Sequence, residues 1–298
     1  MITNFETNKV YLAKGMISEK YVEATGHLLD TLHSHKIHWD FLPLTESPLH
    51  IWVRDYMPMQ VSKNKFVRFN YSPDYLKGYP EYKPDTSAIL SALGKQVIDS
   101  DIIIDGGNVI SCGNKVILTD KIIRENPHYD QDVLIGTLSQ LLEAEVILIP
   151  EDYYDEYGHA DGMVRYMGEG RVLLNNYCDF DKALRKRLLA ALSPHFDITE
   201  LHYGNHTNRS WAYINFLHVD KHIFIPMMED KLGETAFRQI ADAFPRCECH
   251  PIYHYENIVP EGGALNCSTW NNLVDIPKEK DLKWIDSQMR KELYEGKH

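Results

Sequence analysis

The chain has 298 residues, a formal net charge of −12 and a hydrophobic share of 44%, which is typical of a globular protein with a substantial core. The acidic balance disfavours nucleic acid as a partner, because nucleic-acid binding requires basic patches. There is no apolar run of the roughly 18 residues that a membrane span needs, and five irregularly spaced cysteines argue against a disulfide framework. We expect one soluble cytoplasmic domain over residues 1–298.

Five similar stretches begin at nearly equal intervals, at Trp52, Gly106, Gly158, Ser210 and Gly262. The successive separations are 54, 52, 52 and 52 residues. Each stretch continues as an extended run to a turn and then resumes as an apolar strand, which predicts a β-hairpin in each unit. The predicted turns are Lys63-Asn64, Gly113-Asn114, Gly168-Glu169, Asp220-Lys221 and Asn271-Asn272.

Between the hairpins the hydrophobic period changes from two residues to about three and a half, which predicts helices. In chain order these helices include residues 134–142, 184–192 and 237–244. Short apolar strands lead into the next motif at residues 97–104, 146–149 and 198–203. A repeat of about 52 residues that contains a small sheet favours a propeller blade over a solenoid rung. The predicted fold class is α/β, a propeller of five units; the alternative is chance spacing in an ordinary α/β protein.

Four of the five stretches begin with reactive side chains. They are Trp52-Val53-Arg54-Asp55, Asp105-Gly106-Gly107-Asn108, Gly158-His159-Ala160-Asp161 and Gly262-Gly263-Ala264-Leu265-Asn266-Cys267. Equivalent positions in a repeat are expected to converge on its axis. His159 and Asp161 alternate, so on a strand they share one face. Asp55 is adjacent to Arg54, and an internal ion pair is the alternative interpretation of that carboxylate.

Two other histidine-containing segments have weaker signals. The run Cys247-Glu248-Cys249-His250 carries metal-binding residue types, yet on a strand Cys247 and Cys249 share one face and His250 points to the other. No second pair follows at zinc-site spacing. We therefore expect no metal and no cofactor. His202 and His206 are predicted to lie in a loop near the mouth of the pocket.

Together the motifs resemble the ordered signature of the agmatine deiminase and bacterial-type peptidylarginine deiminase family, within the guanidino-group-modifying superfamily. The matching segments are Trp52-Val53-Arg54-Asp55 with Met57-Pro58, Asp105-Gly106-Gly107, Gly158-His159-Ala160-Asp161-Gly162, Ala212-Tyr213-Ile214-Asn215-Phe216, and Gly262-Gly263 ahead of Cys267. The resemblance runs from about Trp52 to Thr269. It implies a five-bladed α/β propeller, the pentein fold.

The resemblance also implies roles for the site residues. Cys267 is expected to attack the carbon of a guanidinium, and His159 to protonate the departing ammonia and then activate water. Asp55 and Asp161 are expected to bind the guanidinium nitrogens, and Asp105 to orient His159. The implied substrate-binding set is Asp55, Asp161, Trp52, Arg54, Asn108, Asn215, Gly262 and Gly263.

The implied activity is hydrolysis of agmatine, arginine or an arginyl peptide to a ureido product and ammonia. The acidic neighbours are expected to raise the pKa of the Cys267 thiol. Relatives commonly carry glutamate at the position of Asp105, so the shorter side chain here requires a closer backbone or an intervening water. Many relatives also carry histidine where this chain has Asn266.

Other functions stay open at this point. An amidinotransferase uses the same covalent step and hands the amidino group to an amine. A catalytically silent binding propeller and a papain-like cysteine hydrolase are further alternatives, although papain-like enzymes place the cysteine before the histidine. The sequence leaves the oligomeric state undecided, with a homodimer as one expectation.

Overall fold

The protein is built from five small sheets arranged around a common axis. The structure, a computed structural model, describes residues 1–276; the end of the predicted domain lies outside the described residues. The strands are β1 (Lys9–Ala13), β2 (His38–Leu42), β3 (Met59–Ser62), β4 (Lys65–Asn70), β5 (Ile98–Ile103), β6 (Ile110–Ser111), β7 (Lys115–Thr119), β8 (Glu145–Ile149), β9 (Val164–Gly168), β10 (Arg171–Leu174), β11 (Asp197–Glu200), β12 (Leu217–Val219), β13 (His222–Pro226), β14 (Glu248–Ile252) and β15 (Trp270–Asn272). They form the sheets β15-β1-β2, β3-β4-β5, β6-β7-β8, β9-β10-β11 and β12-β13-β14. The predicted five-bladed α/β propeller is confirmed.

Each sheet combines an antiparallel pair with a parallel third strand. In the last complete blade, β13 pairs antiparallel with β12 and parallel with β14. Parallel neighbours need a crossover connection, and helices supply it. The helices are α1 (Val22–Ser34), α2 (Val53–Tyr56), α3 (Thr86–Ala92), α4 (Lys121–Glu125), α5 (Gln131–Leu142), α6 (Tyr177–Phe180), α7 (Lys182–Leu192) and α8 (Gly233–Ala243). All of them except α2, which connects two sheets, lie in such crossovers.

The crossover helices follow from their sequence pattern. Leu134, Leu138 and Leu142 are buried on one side of α5, because residues three and four apart share a helix face. Asp130 accepts hydrogen bonds from the first backbone amides of α5, and Asp181 does the same for α7, which satisfies donors that a helix start leaves unpaired. The three predicted helices are confirmed: α5, α7 and α8 begin two to four residues before the predicted segments and end within one residue of them.

Four of the five predicted hairpin turns are confirmed, and the fifth is wrong. Gly113 at φ 77° and Asp220 at φ 50° adopt the positive φ that tight turns require. Asn271-Asn272, predicted as a turn, instead lies in β15, which pairs antiparallel with β1. The central strand of that blade comes from the start of the chain, so the two ends of the described chain close the ring. No helix in residues 1–276 is long and apolar enough to cross a membrane.

Candidate active site

Single helical turns, and not the strands predicted from the sequence, carry the motifs to the axis. The turns are α2 after Trp52 and the 3-10 segments Gly106–Asn108, Ala160–Gly162 and Ser210–Ala212. The expectation that His159 and Asp161 share a strand face is therefore wrong. Gly158 turns the chain at φ 62°, and a hydrogen bond from Met163 N to Ala160 O closes the turn that presents both side chains.

Gly107 lies at the point where three of these side chains meet. Its backbone N–H donates to Asp55 Oδ1 at 2.9 Å. A Cβ at this position would lie 2.7 Å from His159 Nδ1, 2.8 Å from Asp55 Oδ1 and 3.3 Å from Asp161 Oδ2. Any side chain here would displace the histidine and the carboxylate, so the close approach depends on glycine.

His159 is held by a direct contact to Asp105. The distance from His159 Nε2 to Asp105 Oδ2 is 2.7 Å, so the short aspartate side chain reaches the ring without the water that the sequence allowed for. Lys121 Nζ donates to the same oxygen at 2.6 Å and lies 3.4 Å from Glu125 Oε1. Sequence reasoning missed Lys121, because a lysine that opens a short helix has the appearance of an ordinary surface residue.

The buried charges shift one another's pKa values. Burial opposes a charge on His159, but the carboxylates of Asp55 and Asp105 outweigh it and raise the His159 pKa to about 9. Burial raises the Asp55 pKa to about 7, although His159 works against that shift. Burial also acts to raise the pKa of Asp105, but His159 and Lys121 together bring it below its ordinary value. His159 is therefore a cation at neutral pH.

Cys267 lies opposite these groups and is 5% exposed. Its Sγ is 3.3 Å from Asn215 Oδ1 and 3.5 Å from Asp161 Oδ2. Asn215 Oδ1 also accepts the backbone N–H groups of Asn266 and Cys267, at 3.1 and 3.3 Å. Burial raises the pKa of the Cys267 thiol well above its ordinary value, and the charges of Asp161 and Asp55 raise it further, in the direction predicted.

Asn266 contributes a contact that the sequence did not predict. Its Nδ2 donates to Asp161 Oδ2 at 2.7 Å, which fixes the same carboxylate oxygen that faces the cysteine sulfur. The residue before the cysteine thus positions a carboxylate from another blade.

Three residues of the predicted substrate-binding set lie outside the cavities described below. Arg54 forms hydrogen bonds to the carbonyl of Asn266 and the side chain of Asn271, so the ion pair with Asp55, which was the alternative interpretation of that carboxylate, does not form. Asn108 Oδ1 accepts the backbone N–H of Thr119 at 2.9 Å. Gly263 packs against the indole ring of Trp52, which leaves no room for a Cβ.

Two cavities meet at Cys267 and His159. The main cavity has a volume of about 940 Å³ and is also lined by Trp52, Asp55 and Gly262. Its wall carries a group of tyrosines: Tyr71, Tyr75, Tyr79, Tyr82 and Tyr157. The second cavity, of about 230 Å³, includes Asp161, Asn215 and His206 in its lining. The other predicted residues thus line one cavity or the other, except Asp105, which lines neither and lies behind His159.

The loop histidines are divided between two environments. His206 lines the second cavity and stacks on Phe180, with ring centroids 3.7 Å apart, so its predicted place near the pocket is confirmed. His202 is 70% exposed and pairs with Asp179 at 2.5 Å; it lines neither cavity.

The fold and the site together define a class. A five-bladed α/β propeller with cysteine, histidine and carboxylates converging at its axis is the architecture of guanidino-group-modifying enzymes. The chain belongs to the Porphyromonas-type peptidyl-arginine deiminase family, whose model matches residues 1–272. The predicted class, a hydrolase acting on the carbon–nitrogen bonds of linear amidines, is confirmed.

Solved structures of related activities share the fold. A cysteine-to-serine variant of C. jejuni agmatine deiminase with substrate bound matches with a TM-score of 0.74 at 14% identity, over 93% of this chain and 96% of that chain. Agmatine deiminase of Enterococcus faecalis matches with a TM-score of 0.71 at 15% identity, over 93% and 96%. The N-terminal domain of a cyanobacterial arginine dihydrolase matches with a TM-score of 0.59 at 14% identity, over 89% and 98%.

Proposed function

We propose that this hydrolytic deiminase uses Cys267 as nucleophile and acts on a guanidino compound whose tail is cationic or uncharged. The observation that carries the proposal is the convergence of Asp55, Asp161, His159 and Cys267 on two joined cavities. A guanidinium is planar and always protonated at neutral pH, so it is a poor electrophile until its charge is fixed and its resonance is broken. Asp55 and Asp161 supply the two anions for that task.

The first half of the reaction forms the covalent intermediate. Binding of the cation lowers the pKa of the Cys267 thiol, which loses its proton to solvent and attacks the guanidinium carbon as the thiolate. A C–S bond forms and a tetrahedral adduct results. His159 Nε2 is occupied by Asp105, so Nδ1 is the ring nitrogen that donates a proton to the departing nitrogen. The C–N bond breaks, ammonia leaves, and a thiouronium remains on Cys267.

The second half releases the product. The neutral His159 takes a proton from water at Nδ1, and the oxygen adds to the thiouronium carbon. The C–S bond then breaks and the added hydroxyl group loses its remaining proton to solvent, which returns the cysteine thiolate, the protonated histidine and a ureido product. A His159 pKa of about 9 suits the acid step, because the ring enters the reaction charged.

The charges of the main cavity favour one class of tail. Among the described residues that line it, Lys20 is the only lysine or arginine, and it is paired with Glu261. Glu19 and Glu156 add negative charge to the same wall. The free carboxylate of arginine has no unpaired cation to meet here, whereas an amine or an amide-blocked arginyl group fits the charge. We therefore propose agmatine or a blocked arginyl residue ahead of free arginine.

A panel of guanidino compounds tests both parts. Agmatine, free arginine, arginine amide and an arginyl peptide are assayed for ammonia and ureido product without an added amine, beside Cys267→Ala. Equal ammonia from the variant contradicts the nucleophile, and a requirement for an amine indicates amidino transfer. Free arginine as the best substrate contradicts the tail preference alone. Cytoplasmic location and a homodimer also remain proposals, for cell fractionation and sedimentation to test.

A further inference from the structure

A cluster of three histidines and a glutamate lies outside both active-site cavities. It consists of His35, His222, Glu248 and His250, each of which offers a ligand atom within 4.8 Å of the others. His222 Nδ1 and His250 Nε2 are 3.0 Å apart. Glu248 Oε2 lies 3.9 Å from the Nδ1 atoms of both His35 and His222. We call these four residues the histidine cluster.

Three separate elements bring the cluster together. On the parallel strands β13 and β14, His222 is the register partner of Glu248, and Glu248 and His250 share a face because side chains alternate along a strand. His35 caps the end of α1, and its ring contacts that of His250 at a centroid distance of 4.0 Å. The cluster therefore joins the first helix to the last complete blade.

The cysteines of the same run take no part. Cys247 Sγ lies 3.8 Å from His218 Nε2, and Cys249 packs against the hydrophobic core. The absence of a metal was predicted from residues 247–250 alone. Two of the four cluster members, His35 and His222, come from elsewhere in the chain and are brought to this run only by the fold.

The repeat offers an internal comparison in the β6-β7-β8 blade. There Lys115 is the register partner of Glu145, and Ile117 is that of Ile147. Glu145 binds Lys115 Nζ at 2.6 Å and lies 3.7 Å from His195 Nδ1. This histidine is 31% exposed, as His35 is, and the two glutamates are 52% and 50% exposed.

Two histidines of the cluster have no counterpart in the β6-β7-β8 blade. His222 stands at the register position that Lys115 occupies, and His250 at that of Ile147. In the β6-β7-β8 blade these positions thus hold only one histidine–glutamate pair, together with a salt bridge and an apolar residue. The two additional imidazoles, those of His222 and His250, face each other at the centre of the histidine cluster.

The donor set fits a transition-metal ion. Imidazole nitrogens and a carboxylate oxygen are zinc ligands, and a bond length of about 2.0 Å places the ligands of a tetrahedral site about 3.3 Å apart. The separations of 3.0 Å between His222 and His250 and of 3.9 Å between Glu248 and His222 lie on either side of that value, and all four ligand atoms lie within 4.8 Å of one another. Lys221 Nζ binds Glu248 Oε1 at 2.9 Å, which leaves Oε2 turned to the histidines. We propose that His35, His222, Glu248 and His250 form a zinc site that fastens α1 to the last complete blade.

Zinc titration of the tag-free full-length chain tests the proposal. The parent protein carries Cys267→Ala, so that the active-site thiol does not compete for the metal, and chelator-treated samples are followed by calorimetry and thermal unfolding. We expect one zinc per chain. His222→Ala and His250→Ala should each weaken binding by at least about tenfold, and the zinc-dependent rise in Tm should be lost because only the folded site binds. His195→Ala, the matched histidine beside Glu145, should bind as the parent does.

Three results would overturn the zinc site. Zinc affinity that is unchanged in the His222→Ala/His250→Ala double variant, or an absence of zinc binding in the parent, overturns the proposal. So does a loss of the zinc with His202→Ala alone, which would place the metal at Cys178, Asp179 and His202. If an alanine variant fails to fold, His35→Ala at the end of α1 replaces it. None of these readouts depends on the proposed deiminase reaction.

Discussion

Lys121 and His159 donate to the same oxygen atom of Asp105. The two donor distances to Oδ2 are 2.6 and 2.7 Å, while Oδ1 of this buried carboxylate has no hydrogen-bond partner among residues 1–276. Lys121 and protonated His159 thus share the single negative charge of Asp105. The lysine charge lowers the pKa of His159 and so opposes the carboxylates that raise it. Lys121 limits how firmly the catalytic proton is held.

Replacing Lys121 by methionine should alter both the pH profile and stability. Without the lysine charge the His159 pKa rises, so the alkaline limb of kcat/KM moves to higher pH. Breaking this pair, whose side chains are at most 1% exposed, should cost about 3–5 kcal/mol of unfolding free energy, measured by urea titration. Lys115→Met removes the surface pair with Glu145 and should cost under about 1 kcal/mol. An unmoved limb would show that Lys121 has no influence on the histidine.

The pH dependence of kcat/KM should be bell-shaped. Asp55 has a raised pKa of about 7, so it becomes an anion, and binds a guanidinium, only as pH rises through that value. His159 has a raised pKa of about 9, so the acid that protonates ammonia is lost as pH rises further. Initial rates of ammonia release at low substrate check both limbs. A profile that is flat through neutral pH would contradict the role of Asp55.

The thiol of Cys267 should ionise only when a cation occupies the site. Its pKa is raised in the free enzyme by burial and by Asp161 and Asp55, and a bound guanidinium compensates those carboxylates. The ultraviolet absorbance of the thiolate, taken as wild type minus Cys267→Ala, should titrate at lower pH with an unreactive guanidino ligand present. A thiol pKa that the ligand does not move would rule out substrate-dependent activation.

Asn215→Ala should lower both kcat and stability. The change leaves the buried N–H of Cys267 without its acceptor, which costs about 1–3 kcal/mol, and it frees the cysteine to move. The N–H of Asn266 keeps the backbone carbonyl of residue 215 as its acceptor. We expect a kcat loss of at least about tenfold. Asn108→Ala removes a comparable acceptor, for Thr119 N, away from the cavities. Equal kcat losses in the two variants, or full activity of Asn215→Ala, would assign Asn215 a purely structural role.

Gly107→Ala should inactivate the enzyme while the fold persists. The added methyl would lie within 2.8 Å of His159 Nδ1 and Asp55 Oδ1, and a displacement of about 1 Å at reacting groups costs roughly a hundredfold in rate. Gly136→Ala, in α5 with nothing within 4 Å of its Cβ, should keep its activity and gain up to about 1 kcal/mol. Circular dichroism and ammonia release measure both. Normal activity in Gly107→Ala would mean that the convergence at this glycine is not required.

The regular parts of the fold could be predicted from the sequence because they depend on local periodicity. The leucines of α5 and α7 and four hairpin turns gave the blades and their order. The fifth hairpin could not be found this way, since β15 pairs with β1, and residues far apart in sequence leave no local pattern. The one-turn helices at the axis could not be predicted either, because three or four residues are too few to establish a helical period.

The site residues also fall into two groups: those that the sequence repeat indicates and those that only the folded structure reveals. Reactive side chains were found where they recur at the repeat interval, as His159 and Cys267 do. Arg54 and Asn108 belong to the same motifs as the reactive side chains. Arg54 nevertheless donates to a backbone carbonyl, and Asn108 accepts from the backbone of a strand, because a motif position does not determine which way a side chain points. Lys121 joins the site through burial against Asp105, which only the folded chain reveals.

The active site is complete only when β1 and β15 pair and close the ring. Cys267 lies three residues before β15, whose partner β1 begins at Lys9. The proposed nucleophile is therefore anchored only when β15 has paired with β1. A nascent chain that already holds Asp55, Asp105 and His159 must grow by a further 108 residues to include Cys267. Catalytic competence thus depends on a strand pairing between segments that are far apart in the sequence.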